Sequence, residues 1–180
     1  MIKRARTFIW PGVVLAATVL LVGIAVSTAG AVPTTKFPVS TTVLTGTFKS
    51  GTFANLAADD ASYYEVNSTT TGTRTSAWYG KFATVPNTIS SLQITYKGKN
   101  SLSCTQTLAI RNWTAGGWVV FDTRPVGSSE ELIADLTPPG TLADYVSNTS
   151  GTGEMRVRVM CTGGSVNFFA SGNLMKIVYT

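Results

Sequence analysis

Met155-Arg156-Val157-Arg158-Val159-Met160-Cys161 sets apolar residues at every odd position, with Arg156 and Arg158 between them. That two-residue period belongs to a strand with one face buried and one wet, because a helix repeats every 3.6 residues. Leu92, Ile94 and Tyr96 alternate with Ser91, Gln93 and Thr95 in the same way. Further short β-runs occupy 43–48, 62–68, 77–85, 104–113, 118–123, 132–136, 166–170 and 174–179. Turn chemistry separates them: Gly72, Pro86-Asn87, Lys97-Gly98, Gly116-Gly117, Pro138-Pro139-Gly140, Gly151, Gly163-Gly164 and Gly172. A helical apolar spacing is suggested only over 132–146, where Pro138 and Pro139 interrupt it. The expectation is an all-β chain forming an antiparallel β-sandwich, jelly-roll-like, after an N-terminal signal or anchor segment.

That N-terminal segment, residues 1–31, has its own grammar. Lys3, Arg4 and Arg6 form a basic head, an uncharged apolar run follows, and Ala29-Gly30-Ala31 closes it with small residues. This is the order of a secretory signal peptide cleaved after Ala31. The competing reading is an uncleaved membrane anchor, since 7–31 carries no charge and is long enough to reach across a bilayer. Either reading places the remainder outside: secreted, or on the extracellular side of the cell membrane. Residues 32–42 contain Pro33 and Pro38 without a hydrophobic period and read as an extended linker to a domain over 43–180.

Export changes the charge argument. The chain has formal net charge +5, and Lys3, Arg4 and Arg6 supply three of those charges, leaving +2. The basic pI therefore reflects targeting, and no nucleic-acid partner is expected. Cys104 shares strand parity with Leu108 and Ile110, and Cys161 with Val157 and Val159, so both point inward. In an oxidising compartment they read as a disulfide.

The chain has no histidine, which removes Ser-His-Asp triads, Cys-His pairs and His-rich zinc sites. None of its carboxylates sits in a recognisable catalytic context, so no enzymatic activity is expected. The sharper signal is Arg111-Asn112-Trp113-Thr114-Ala115-Gly116-Gly117-Trp118. A hairpin around Ala115-Gly116 pairs Trp113 with Trp118, Arg111 with Val120 and Ile110 with Phe121. Arg111, Trp113 and Trp118 then share the outward face. Two indoles beside a guanidinium and the Asn112 amide suit a sugar ring, which stacks its CH face on aromatics and shares its hydroxyls with polar donors. The competing reading is a cross-strand Trp pair that only covers the hairpin end.

Asp59 and Asp60 are candidate oxygen ligands for a structural calcium, against a reading as local turn capping. No other cofactor is expected. Arg156 and Arg158 share a strand face open either to water or to acidic glycans. Asn67-Ser68-Thr69, Asn112-Trp113-Thr114 and Asn148-Thr149-Ser150 fit the glycosylation pattern.

Several segments carry a resemblance: Asp59-Asp60-Ala61-Ser62-Tyr63-Tyr64, Tyr96-Lys97-Gly98-Lys99-Asn100-Ser101, Asn112-Trp113 with Trp118, and Leu142-Ala143-Asp144-Tyr145-Val146 ahead of Arg156-Val157-Arg158-Val159. Together they resemble galactose-binding-domain-like and carbohydrate-binding jelly-roll modules of secreted bacterial proteins. The resemblance implies a β-sandwich that commonly binds glycans and sometimes holds calcium. The expected function is a secreted or surface-exposed, non-catalytic module for a glycan or cell-surface polysaccharide. The alternative is a structural or adhesive envelope protein acting through other envelope proteins. Membrane contact is expected only through residues 1–31 if they stay attached.

Overall fold

The computed structural model describes residues 31–180, so the signal or anchor expectation lies outside the described residues apart from Ala31. The strands are β1 (Thr34–Lys36), β2 (Ser40–Thr45), β3 (Thr47–Ser50), β4 (Tyr64–Asn67), β5 (Thr75–Pro86) and β6 (Leu92–Asn100). They continue as β7 (Cys104–Asn112), β8 (Gly117–Val126), β9 (Glu131–Leu136), β10 (Thr152–Thr162) and β11 (Phe169–Tyr179). Two single 3-10 turns, Phe53–Leu56 and Leu142–Tyr145, are the described helical pieces. The helical spacing over 132–146 thus resolves into β9 and the second of these turns.

Pairing is antiparallel throughout, in two sheets ordered β3-β4-β11-β6-β9 and β2-β5-β10-β7-β8. From β4 to β11 every connection crosses between the sheets except the β7–β8 hairpin, and that crossing order is a jelly roll. Strand parity explains the layering. Met155, Val157, Val159 and Cys161 of β10 are buried, while Glu154, Arg156, Arg158 and Met160 are half-buried on the outer side. Trp78, Phe82, Leu108 and Ile110 from one sheet meet Tyr64, Val66, Ile94, Tyr96, Met175 and Ile177 from the other in one core. A smaller cluster holds Cys104, Cys161 and Phe168, and the two cysteines are joined with Cα atoms 5.8 Å apart, as their parity predicts.

Three local expectations change. Residues 32–42 are extended but docked: β1 pairs with β11, β2 begins at Ser40, and Pro38 is buried. The 43–48 run divides because Gly46 takes φ +89 and passes the chain from one sheet to the other. Runs 166–170 and 174–179 merge into β11, with Asn173 absorbed as a bulge opposite β6.

Candidate functional site

The β7–β8 hairpin closes through a loop over 113–116, with Asn112 opposite Gly117 and Arg111 opposite Trp118. Trp113 therefore belongs to the loop rather than to a pair with Trp118. The Asn112 carboxamide oxygen accepts the Ala115 N–H at 2.7 Å, and Gly116 takes φ +74, so the turn closes one residue earlier than the sequence suggested. The resulting slip changes partners but not faces, because pairing moves by two residues along the strand. Ile110 accordingly meets Val119, and a bulge further along leaves Phe121 unpaired between Val120 and Asp122. The Trp113 backbone N–H donates to the Asp144 carbonyl, and the Thr114 hydroxyl to the Asp144 carboxylate, tying the loop to the second 3-10 turn.

Parity delivers Arg111, Trp113 and Trp118 to the outer face of the β2-β5-β10-β7-β8 sheet. Tyr79, Lys81, Arg156 and Arg158 reach the same face from β5 and β10, which the hairpin alone could not foretell. Arg158 lies opposite Tyr79 on one side and opposite Ala109 on the other. The Tyr79 and Trp118 ring centroids are 6.0 Å apart. Their strands are separated by β10 and β7, a span of about 14 Å at ordinary strand spacing. Both rings must therefore lean inward along the sheet, over the small Ala109, instead of standing away from it.

Guanidinium groups fill the spaces between the rings. Arg156 sits 4.7 Å from the Trp113 ring centroid and 5.0 Å from that of Tyr79. Arg158 lies 4.9 Å from Trp118, and Arg111 lies 5.8 and 5.9 Å from Trp113 and Trp118. Each contact draws a cation to the negative face of a ring. Arg156 also pairs with Glu154, whose carboxylate stands 4.0 Å from Lys81. Burial lowers the Arg158 pKa below its ordinary value. A cleft of about 400 Å³ borders Trp113, lined by Asn87, Thr114, Asp144, Ser147 and Asn148. A larger groove of about 570 Å³ lies at the opposite end of β7, but the Phe169 ring it presents is capped by Lys49 at 3.3 Å. The aromatic surface is on the Trp face.

No family model and no curated protein matches this sequence. Similar solved structures include the CBM36-1 domain of a multidomain xylanase from the hindgut metagenome of Trinervitermes trinervoides. It has 12% identity and TM-score 0.42, over 81% of this chain and 95% of that one. A family 11 carbohydrate-binding module from Clostridium thermocellum, in complex with a β-1,3-1,4-mixed-linked tetrasaccharide, has 17% identity and TM-score 0.38 over 82% and 84%. The enzymatically active domain of bacteriophage CBA120 tailspike protein 4 has 15% identity and TM-score 0.39, over 81% of this chain and 19% of that one. The face described above stands on its own side chains.

The Asp59-Asp60 pair, expected as calcium oxygens, is engaged within the protein. Asp59 accepts from Lys97 Nζ at 2.6 Å and from Asn173, and Asp60 accepts the Ser62 N–H at 2.7 Å. Lys97 also meets Glu130 at 2.8 Å, a cation lying between the two carboxylates. Among the described residues no three His, Cys, Asp or Glu side chains gather as a metal cluster.

Proposed function

We propose that this protein is an exported, non-catalytic carbohydrate-binding module whose ligand lies on the outer face of the β2-β5-β10-β7-β8 sheet. The observation that carries this reading is the convergence of Trp113, Trp118 and Tyr79 with Arg111, Arg156 and Arg158 on one side of the sheet, beside the cleft at Asn87 and Asn148. Rings inclined along a sheet give a sugar an apolar surface, and the surrounding guanidinium and amide groups donate to its hydroxyls. The Cys104–Cys161 disulfide supports an oxidising compartment, in keeping with the signal grammar of residues 1–31.

The carboxylates support the non-catalytic part. A glycosidic general acid needs a carboxyl held above its ordinary pKa. Glu65 and Glu130 are shifted downward, each under a lysine. Asp122 is clasped by Arg124 at 2.7 and 2.9 Å. Asp135 and Asp144 accept from threonine hydroxyls.

The test is a glycan array and a polysaccharide pull-down with the wild type and the Trp113→Ala/Trp118→Ala double variant. Retention that falls by roughly tenfold or more in the variant is expected, as for loss of two anchoring aromatics. No retention, or retention unaffected by the substitution, overturns the reading. The structural or adhesive alternative has its own observation: Phe48 and Phe53 are exposed around an open groove beside β2 and β3. Concentration-dependent self-association without glycan retention would favour it.

A further inference from the structure

The outer face of the β2-β5-β10-β7-β8 sheet is electrically unbalanced. Its outward positions present Arg111, Arg156, Arg158 and Lys81 against Glu154 alone. Glu154 is shared between Arg156 and Lys81. Among the described residues, Arg111 and Arg158 have neither a carboxylate partner nor a hydrogen bond to a side chain or carbonyl.

These two groups are not simply solvated. Their Nε atoms are shielded from water and lack an acceptor, and the Arg158 charge is disfavoured by burial. Lys49, Lys97 and Arg124, by contrast, each meet a carboxylate within 2.8 Å, and Lys36, Arg74 and Lys99 donate to carbonyl or hydroxyl oxygens. Holding partly desolvated cations without an anion costs free energy, and ring faces return only part of it. A planar guanidinium is also the side chain best matched to a carboxylate, through two parallel N–H donors.

We propose that the ligand of this face is an acidic polysaccharide, with uronate carboxylates bound by Arg111 and Arg158 and sugar rings resting on Trp113 and Trp118. This rests on the carbohydrate-binding reading above and narrows it to one chemical class. Arg111 and Arg158 sit on neighbouring strands two residues out of register and so on the same face, because Arg158 faces Ala109. One strand of polysaccharide crossing β7 and β10 meets both. Arg156, already neutralised by Glu154, serves as packing between Trp113 and Tyr79 rather than as the anion's partner.

The test uses the full chain in affinity electrophoresis through polygalacturonate, its fully methyl-esterified form, alginate, a neutral mixed-linked glucan and poly-L-glutamate. Methyl esterification keeps the backbone and removes the charge. Retention by polygalacturonate or alginate is expected, and at least about tenfold weaker retention by the ester, the size of effect expected for a charge-assisted contact. Poly-L-glutamate, which has carboxylates but no sugar rings, should be retained no more than the ester. Arg111→Gln and Arg158→Gln should each lose the acidic polymer while remaining folded by circular dichroism. If either variant fails to fold, wild-type retention across a salt series decides, because only the acidic polymer's binding should weaken as salt rises.

Equal retention by acidic and esterified polymers, or by poly-L-glutamate, overturns the proposal. So does acidic-polymer retention unchanged in both glutamine variants or insensitive to salt. Retention by the neutral glucan alone would sink this inference and leave the broader carbohydrate reading standing. Retention by no polysaccharide, here or on the array, removes both.

Discussion

Tyr96 buries a hydroxyl that finds no partner among the described residues, and burial raises its pKa. Gly98 makes the room for it: a Cβ there would lie 2.3 Å from the hydroxyl oxygen and 2.7 Å from the Ser171 carbonyl. Replacing a buried, unpaired polar group with hydrogen removes a desolvation penalty without losing a bond. Tyr96→Phe should therefore leave stability unchanged or raise it by up to about 1 kcal/mol in urea unfolding. A clear loss would show that the hydroxyl has a partner. Gly98→Ala should destabilise, and less so in the Tyr96→Phe background, since the 2.3 Å contact disappears while those with the ring Cζ and the Ser171 carbonyl, both at 2.7 Å, remain. Trp78 is fully buried against Tyr64 and Tyr96, and Trp78→Ala should cost about 3–5 kcal/mol.

At the next scale, Glu65 ties three strands of one sheet together. From β4 it accepts Lys49 Nζ and Ser50 Oγ of β3 at 2.7 Å and Ser171 Oγ of β11 at 2.8 Å. Burial by itself would raise its pKa, but the Lys49, Ser50 and Ser171 hydrogen bonds outweigh burial and hold the carboxyl below its ordinary value. Lys97 lowers Glu130 likewise. A carboxylate with a lower pKa folded than unfolded binds fewer protons in the native state. Its contribution is complete above the unfolded value of about 4.3 and is lost as pH falls through the folded value. The urea midpoint should therefore decline as pH drops below about 4.3, and Glu65→Gln should be less stable at neutral pH and decline less steeply. A parallel pH profile in the variant would contradict this role.

The elements also mark where local pattern stops being sufficient. Alternation in 155–161 and 92–96 identified the buried sides of β10 and β6 correctly, because period two belongs to the residues themselves, but Thr95, read as wet, is buried beside Asp135 of β9. The β7–β8 partners were misjudged, since turn length depended on the Asn112 side chain and on Gly116, and both candidate turns satisfy the same alternation. Residues 32–42 carried no hydrophobic period because β1 is three residues long and β2 is an edge strand. They are docked through backbone pairing with β11 and β5, and Lys36 Nζ donates to the Ala83 and Thr84 carbonyls at 2.9 and 3.0 Å. Of the candidate site, Arg111, Asn112, Trp113 and Trp118 were visible as one hairpin. Tyr79 is adjacent to Trp78 in the 77–85 run, and alternation says only that one of the two faces in and the other out.

For the whole molecule, the jelly roll places β7 and β10 side by side although they are far apart in sequence, and Cys104–Cys161 closes that separation of 57 residues. In the chain-entropy model such a link removes about 4 kcal/mol of freedom from the unfolded state. The Cys104→Ser/Cys161→Ser variant should lose roughly that much in urea unfolding, with an intact far-ultraviolet spectrum. An unchanged midpoint would place the stabilisation of this end of the sandwich in the Phe168 packing instead.

Several properties were properties of the chain alone: most of its strands, the buried faces of β6 and β10, the inward cysteines and the absence of any histidine chemistry. Each follows from residue type and spacing within a few positions. The outer face was not of that kind. Tyr79, Arg158, Ala109 and Trp118 come from four strands, and their neighbourhood exists only once the crossing order sets β5, β10, β7 and β8 side by side. Small Ala109 lets the rings lean together, and no window of sequence encodes that proximity. The aromatic and cationic residues were legible one by one, but their assembly into one surface followed from long-range pairing.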